Sequence, residues 1–336
     1  MDKSILDNKT ILVTGGTGSF GHCFTEYVLT HYNPKKIIIY SRDEFKQYLM
    51  ANEKIYREHA DKLRFFIGDV RDAARLERAC ENVDYIIHAA ALKQVPACEY
   101  NPDEAIKTNI NGAQNVIDAA LKTGVKRVVA LSTDKAVDPV NLYGATKMVS
   151  DKLFIAANAY AGSKDINFSI VRYGNVAGSR GSIIPLFKSL VDKGETELPV
   201  TDTRMTRFWI SLPEGVELVL KALDEAKGGE TFISKIPSFN ITDLAKAMCP
   251  EGTVKEIGIR PGEKLDEVMV TKEDAPFTYE YDKHFIVYPQ VSFSHEIVPA
   301  PGGKKVPEGF YYSSGNNSEW MSVEDIKNRL HEAVDH

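Results

Sequence analysis

Residues 10–21 read TILVTGGTGSFG. Thr10 to Thr14 is a short β-branched apolar run, glycines stand at 15, 18 and 21, and helical spacing follows from about Ser19 to Leu29. That order predicts a buried strand, a tight turn and a helix. Glycines at those places allow the turn, close approach of backbone to a pyrophosphate and close helix packing, while the first N–H groups of the helix face the anion. A glycine pattern by itself describes a flexible turn equally well. Here the strand before, the helix after and a second strand on schedule (Lys36 to Tyr40) select a dinucleotide site formed by Gly15, Thr17, Gly18, Ser19, Phe20 and Gly21.

Working outward, residues 63–67 (LRFFI), 84–88 (DYIIH), 127–132 (RVVALS) and 167–172 are further short apolar runs, each expected to be a strand buried on both faces. Helical spacing lies between them, as in Asp103 to Lys122, where Ala105, Ile106, Ile110, Val116, Ile117 and Leu121 recur at three- and four-residue intervals. The alternation predicts an α/β fold, a Rossmann-like doubly wound parallel sheet over residues 1–172. After Arg172 the pattern is less regular, with Gly and Pro clusters and helices at 183–193 and 213–226. We expect a smaller α/β substrate lobe from 173–205 and 237–336, with about 206–236 returning to the first domain. No long linker separates them, so the lobes should pack around a cleft at the carboxyl ends of the strands.

A chain of 336 residues, 43% hydrophobic and 26% charged, can bury a large core, which excludes disorder, collagen and a disulfide scaffold. The net charge of -6 leaves no basic footprint, so neither nucleic acid nor an anionic membrane surface is an expected partner. Any anion must be held by a local site. Cys23, Cys80, Cys98 and Cys249 lie far apart, and no His or Cys pair has ligand spacing, so no metal is expected and a reducing compartment is. No apolar run approaches the roughly 20 residues that cross a bilayer, which predicts a soluble cytoplasmic protein.

The strand tips carry the candidate chemistry. A site for NAD places a carboxylate at the tip of the second strand; Tyr40 stands there, and Ser41 and Arg42 follow, a hydroxyl and a guanidinium that suit a 2′-phosphate. NADP is therefore the predicted cofactor, unless Arg42 pairs with Asp43 or Glu44 on the surface. Asp69 and Val70 are placed to hold the adenine edge, and Ala89 and Ala90 keep the backbone small beside the cofactor, although small residues there also suit core packing. The fifth strand runs into Thr133, Asp134 and Lys135, and Tyr143 and Lys147, four apart, share one helix face. A phenol with a pKa near 10 becomes a base at neutral pH only if its anion is stabilised, as an ammonium one turn away and an oxidised nicotinamide would do. Lys147 would also hold the cofactor ribose. Adjacent residues in an extended segment point to opposite sides, so Asp134 and Lys135 are not expected to pair.

These motifs resemble the extended short-chain dehydrogenases/reductases, and within them the NADP-dependent UDP-N-acetylglucosamine 4,6-dehydratases of the C5-inverting type. The resemblance is carried by GGTGSFG (15–21), YSRDE (40–44), GDVRD (68–72), HAAALKQVP (88–96), STDKA (132–136), NLYGATK (141–147), RYGNVAGSRGS (172–182), MTRFWI (205–210) and IRPGEK (259–264). Dehydratases that retain C5 configuration usually have Glu where Lys135 stands. The resemblance implies that Tyr143 takes the 4-hydroxyl proton with Thr133 bonded to the same oxygen, that Lys135 is the base at C5 and Asp134 the acid at O6. It further implies diphosphate contacts from Arg207 and Arg260, with Glu263 on the nucleoside or a neighbouring loop, a homo-oligomer, the short soluble form, and a product that feeds pseudaminic acid synthesis for surface or flagellar glycans.

UDP brings two phosphates into an acidic protein and needs cations. Asn175 at the end of the sixth strand would donate to the diphosphate, Arg180 and Arg204 are further candidates, and Lys93 points into the same cleft toward the hexose. Each arginine could instead link the lobes by a salt bridge. His88 and His22 suit structural hydrogen bonds, since Tyr143 fills the base role. The rival readings are an epimerase of the same fold, which has no need of Asp134 and Lys135 for dehydration, and a non-enzymatic NADP sensor, which would not need Tyr143 and Lys147.

Overall fold

The structure is a computed structural model of the chain and describes residues 4–178, 182–290 and 297–334. Six strands form at the expected places, each boundary within one residue of the expectation: β1 (Thr10–Thr14), β2 (Lys36–Ser41), β3 (Leu63–Ile67), β4 (Tyr85–His88), β5 (Arg127–Thr133) and β6 (Asn167–Tyr173). They run parallel in the order β3-β2-β1-β4-β5-β6. Because side chains alternate along a strand, Ile11 and Val13 pack on one face with Phe24 and Val28 of helix Ser19–His31 and Val216 and Leu220 of helix Leu212–Glu225. Leu12 packs on the other with Val116, Ile117 and Phe154 from helices Gly112–Thr123 and Leu142–Tyr160. Both faces are covered, which is why the strands read as continuous apolar runs.

The sheet is wider than the sequence suggested. Thr231–Ser234 pairs parallel with β6, and His284–Val287, Thr278–Glu280 and Lys304–Lys305 continue antiparallel to a ten-stranded sheet. The last three belong to the 237–336 stretch assigned above to the second lobe. Residues 284–287 (HFIV) are buried throughout, and their pairing covers an edge that β6 and its neighbour would otherwise leave open. The smaller lobe keeps its own core of Phe187, Leu198, Trp209, Phe239, Leu244 and Ile326.

The helix expected over 103–122 is interrupted. Pro102–Ile106 and Gly112–Thr123 are α-helical, and Lys107–Asn111 between them forms a π-turn. The extra residue in that turn leaves Thr108 and Asn109 buried.

Strand order reverses between β1 and β4, whose ends pair at Thr14 and His88. Gly15 and Ala89 therefore emerge side by side at the crevice where open α/β sheets bind ligands.

Candidate active site

A cleft of 690 Å³ opens over these strand ends. Every residue singled out above for the cofactor lines it: Gly15 and the turn through Gly21 after β1, Ser41 and Arg42 after β2, Asp69 and Val70 after β3, Ala89 and Ala90 after β4, then Tyr143 and Lys147. Gly15 has φ +69°, and a Cβ there would lie 2.9 Å from the Ala90 backbone, so only glycine lets the two loops touch. Gly18 precedes helix Ser19–His31 with no capping side chain, and no acidic residue stands in the first turn. The first N–H groups are thus open to an anion, and the cradle fits a dinucleotide pyrophosphate.

At the tip of β2, Tyr40 turns inward: its ring covers Gly68 and its hydroxyl donates to the Asp69 carbonyl at 3.0 Å. Arg42 faces Asp69 at 3.7 Å rather than the adjacent acids, since Asp43 caps helix Glu44–Asn52 through the Lys46 N–H. Lys46, which the sequence reading overlooked, also lines the cleft. Its position one helical turn beyond Arg42 was the available signal.

The reactive residues meet where β5 ends. Asp134–Ala136 is a 3-10 turn, not an extended segment, so the expectation that Asp134 and Lys135 diverge is corrected: Lys135 Nζ lies 3.1 Å from Asp134 Oδ1. Thr133 Oγ1 donates to the same oxygen at 3.0 Å. Lys135 and Thr133 line the cleft, whereas Asp134 is completely buried behind them with Oδ2 lacking a hydrogen bond. Burial raises the Asp134 pKa against the pull of Lys135.

Lys135 Nζ also lies 3.0 Å from Oε1 of Glu267, a residue 3% exposed that the sequence reading missed. Its only sequence signal is an acid directly before the buried run Val268–Val270. Burial would lower the Lys135 pKa, but Asp134 and Glu267 outweigh it and hold the ammonium above the ordinary lysine value. Burial likewise opposes ionisation of Glu267, and Lys135 and Arg207 overcome it.

Tyr143 and Lys147 project from helix Leu142–Tyr160, which starts directly against the 3-10 turn. A Cβ at position 144 would lie 2.0 Å from the Lys135 carbonyl oxygen, which explains the glycine after Tyr143. Burial pushes the Tyr143 hydroxyl up to about 12, with Lys135 and a hydrogen bond to Thr133 opposing. Burial lowers the Lys147 pKa, with Asp151 opposing. The π-turn serves the same helix: Asn109 Nδ2 donates to Thr146 Oγ1 at 3.0 Å, and Asn109 also bonds both backbone groups of Leu92.

On the substrate side Lys93, Asn175, Arg260 and Glu263 line the cleft, and Asn175 Oδ1 is buried without a hydrogen bond. Arg207 does not line it; Nη1 donates to the Thr206 and Leu265 carbonyls and Nε lies 3.9 Å from Glu267. Arg204 is also outside, its exposed guanidinium forked onto Asp202. Arg180 lies outside the described residues. His88 bonds Thr14 Oγ1 at 2.8 Å, and His22 meets Tyr56, the structural roles expected. Asn141 Nδ2 donates to the Gly262 carbonyl at 2.8 Å, tying the loop that carries Arg260 to the start of helix Leu142–Tyr160.

The chain is similar to known proteins over nearly its whole length. It is 55% identical over 328 residues, 96% of this chain and 97% of the other, to a UDP-N-acetylglucosamine 4,6-dehydratase (inverting) of Campylobacter jejuni. It is 41% identical over 332 residues, 96% and 95% of the two chains, to a UDP-glucose 4-epimerase of Rickettsia canadensis. The solved structure of Pen from Bacillus thuringiensis matches with a TM-score of 0.88 at 38% identity, covering 97% of this chain and 98% of that one. Residues 11–289 match the family described as "Polysaccharide biosynthesis protein". With its doubly wound sheet, glycine cradle and Tyr143–Lys147 pair, the chain belongs to that family of extended short-chain dehydrogenases/reductases.

Proposed function

We propose that this protein dehydrates UDP-N-acetylglucosamine across C5 and C6 with inversion at C5, giving UDP-2-acetamido-2,6-dideoxy-β-L-arabino-hex-4-ulose, with NADP as a retained cofactor. The observation that carries the reading is the meeting of Tyr143, Thr133, Lys135 and Asp134 at the end of β5, beside a cradle that fits a dinucleotide. The 55% identity to the inverting dehydratase of Campylobacter jejuni supports it.

The nicotinamide supplies a hydride acceptor for C4 and a donor to C6, so its net redox change is zero. Tyr143, with Thr133 beside it, takes the proton of the 4-hydroxyl. The 4-ketone acidifies the hydrogen at C5, Lys135 removes it, and Asp134, buried behind Thr133, supplies through the Thr133 hydroxyl the proton for the departing 6-hydroxyl, which leaves as water. Protonation of C5 on the opposite face gives the inverted product. Burial of Asp134 favours the acid form this role requires. Lys93, Asn175 and Arg260 hold the diphosphate and hexose, while Arg42, with Ser41 and Lys46, selects the 2′-phosphate of NADP. In the same reading the enzyme works as a homo-oligomer in the cytoplasm and its product enters pseudaminic acid synthesis.

Identity of 41% to a UDP-glucose 4-epimerase favours epimerisation as a second reading. Incubation with UDP-N-acetylglucosamine in deuterated water, followed by proton NMR, separates them. We expect a 6-deoxy-4-keto sugar with deuterium and inverted configuration at C5. A change confined to C4 would make the protein an epimerase, and no change even with added NADP would overturn both readings.

A further inference from the structure

Two carboxylates flank one ammonium at the end of β5. Asp134 Oδ1 and Glu267 Oε1 lie 3.1 and 3.0 Å from Lys135 Nζ. They are not equivalent. Asp134 is buried at the end of its own strand, hydrogen-bonded by Thr133 and Lys135, with the Glu267 charge also acting on it. Glu267 comes from the smaller lobe and has cationic support there: Arg207 Nε at 3.9 Å, and the charge of Lys264 nearby. Of the two, Glu267 is the carboxylate whose ionised form the surroundings sustain.

The fold also fixes Glu267 closely. Its backbone N–H donates to Ser314 Oγ at 2.9 Å, and its carbonyl accepts from the Ser314 N–H at 2.8 Å. Two residues on, the Met269 carbonyl accepts from Arg172 at 2.8 Å, anchoring the strand to β6. Glu267 Oε2 is buried and makes no hydrogen bond, so the carboxylate meets Lys135 through Oε1.

We infer that Glu267 sets the protonation state of Lys135: it is the anion that holds the ammonium in the cleft and so decides how readily that ammonium gives up its proton. Glu267 is thus a positioning residue that acts through Lys135. The inference deepens the preceding reading and rests on it only for what the neutral amine then does at C5.

The groups that face Lys135 are Asp134 from its own turn, Tyr143 from the catalytic helix, Lys93 after β4, and Glu267, Arg207 and Lys264 from the smaller lobe. Substitution at 267 also removes a partner of Arg207 and Lys264 and a charge that acts on Asp134, so a direct titration of Lys135 reads the loss of the carboxylate together with those responses. The test is ¹³C NMR of lysine Cε in the labelled, intact protein, with the Lys135 signal assigned by its loss in Lys135→Arg. In Glu267→Gln the titration midpoint should fall by about 1 to 3 pH units relative to the unsubstituted protein. If that variant does not fold, Glu267→Asp, which withdraws the carboxylate by one methylene, should move the midpoint in the same direction by a smaller step. An unmoved midpoint in whichever variants fold overturns the inference. This readout needs no substrate, so it stands apart from the dehydratase reading: absence of C5 deuterium in the unsubstituted enzyme sinks that reading, and an unmoved Lys135 titration sinks this one.

Discussion

In the proposed reaction, inversion at C5 turns on Lys135. It is the only one of the flanked trio that both lines the cleft and carries a nitrogen able to take a proton. Lys135→Ala should abolish deuterium entry at C5 and dehydration together, while binding of NADP is retained; normal exchange in that variant would remove Lys135 as the base. In the same proposed reading Arg42 bears on the choice of cofactor. Its guanidinium is half exposed at the cleft edge and only loosely engaged by Asp69 at 3.7 Å, which leaves it free to turn to a phosphate. Arg42→Ala should weaken NADP binding by about 10- to 100-fold, the worth of one charge-assisted contact, and leave NAD binding unchanged. Titration calorimetry with both cofactors checks this, and an unchanged preference would take Arg42 out of the selectivity argument.

Among the elements, helix Leu142–Tyr160 and the segments that dock onto it organise the candidate site. Its N-cap Asn141 does two things at once: the side-chain oxygen accepts from the Gly144 N–H at 2.7 Å, and the amide nitrogen donates across to Gly262 in the substrate loop. Lys264 adds a second tie from that loop to the Val137 carbonyl. Asn141→Ala removes a cap worth about 1 kcal/mol and releases the loop that presents Arg260. We expect a stability loss of about that size by urea denaturation and a raised KM for the UDP-sugar; an unchanged KM would mean that the loop is positioned without Asn141. The π-turn at Lys107–Asn111 steadies the other side of this helix through Asn109 and Thr146. Side-chain periodicity alone could not reveal it, because one inserted residue leaves the apolar spacing on either side intact.

Across the whole molecule, polar groups buried at the switch point couple folding to pH. His88 is held neutral against Thr14, and burial, with the nearby Lys147 charge, lowers its pKa from 6.5 to about 3. Because the folded value is below the unfolded one, the unfolded chain binds more protons in that window; stability is full above the unfolded pKa and is lost as pH falls toward the folded one. The slope is at most about 1.4 kcal/mol per pH unit from this group. His88→Asn keeps an acceptor for Thr14 and removes the titration, so the difference in unfolding free energy between about pH 7 and pH 5 should shrink in the variant. An identical difference would place the acid sensitivity elsewhere. The six parallel strands, the glycine cradle and the Tyr143–Lys147 face were legible in the sequence, because they depend on local spacing: period two in strands, one helical turn between partners, and glycine where backbone must approach backbone. Folding in three dimensions was needed to show that Asp134 and Lys135 share a buried turn, that Arg204 faces outward, that residues 278–287 widen the first sheet, and that Glu267, distant in sequence, closes on Lys135. Those outcomes follow from long-range packing and from charges that seek partners once water is excluded, and neither has a period along the chain.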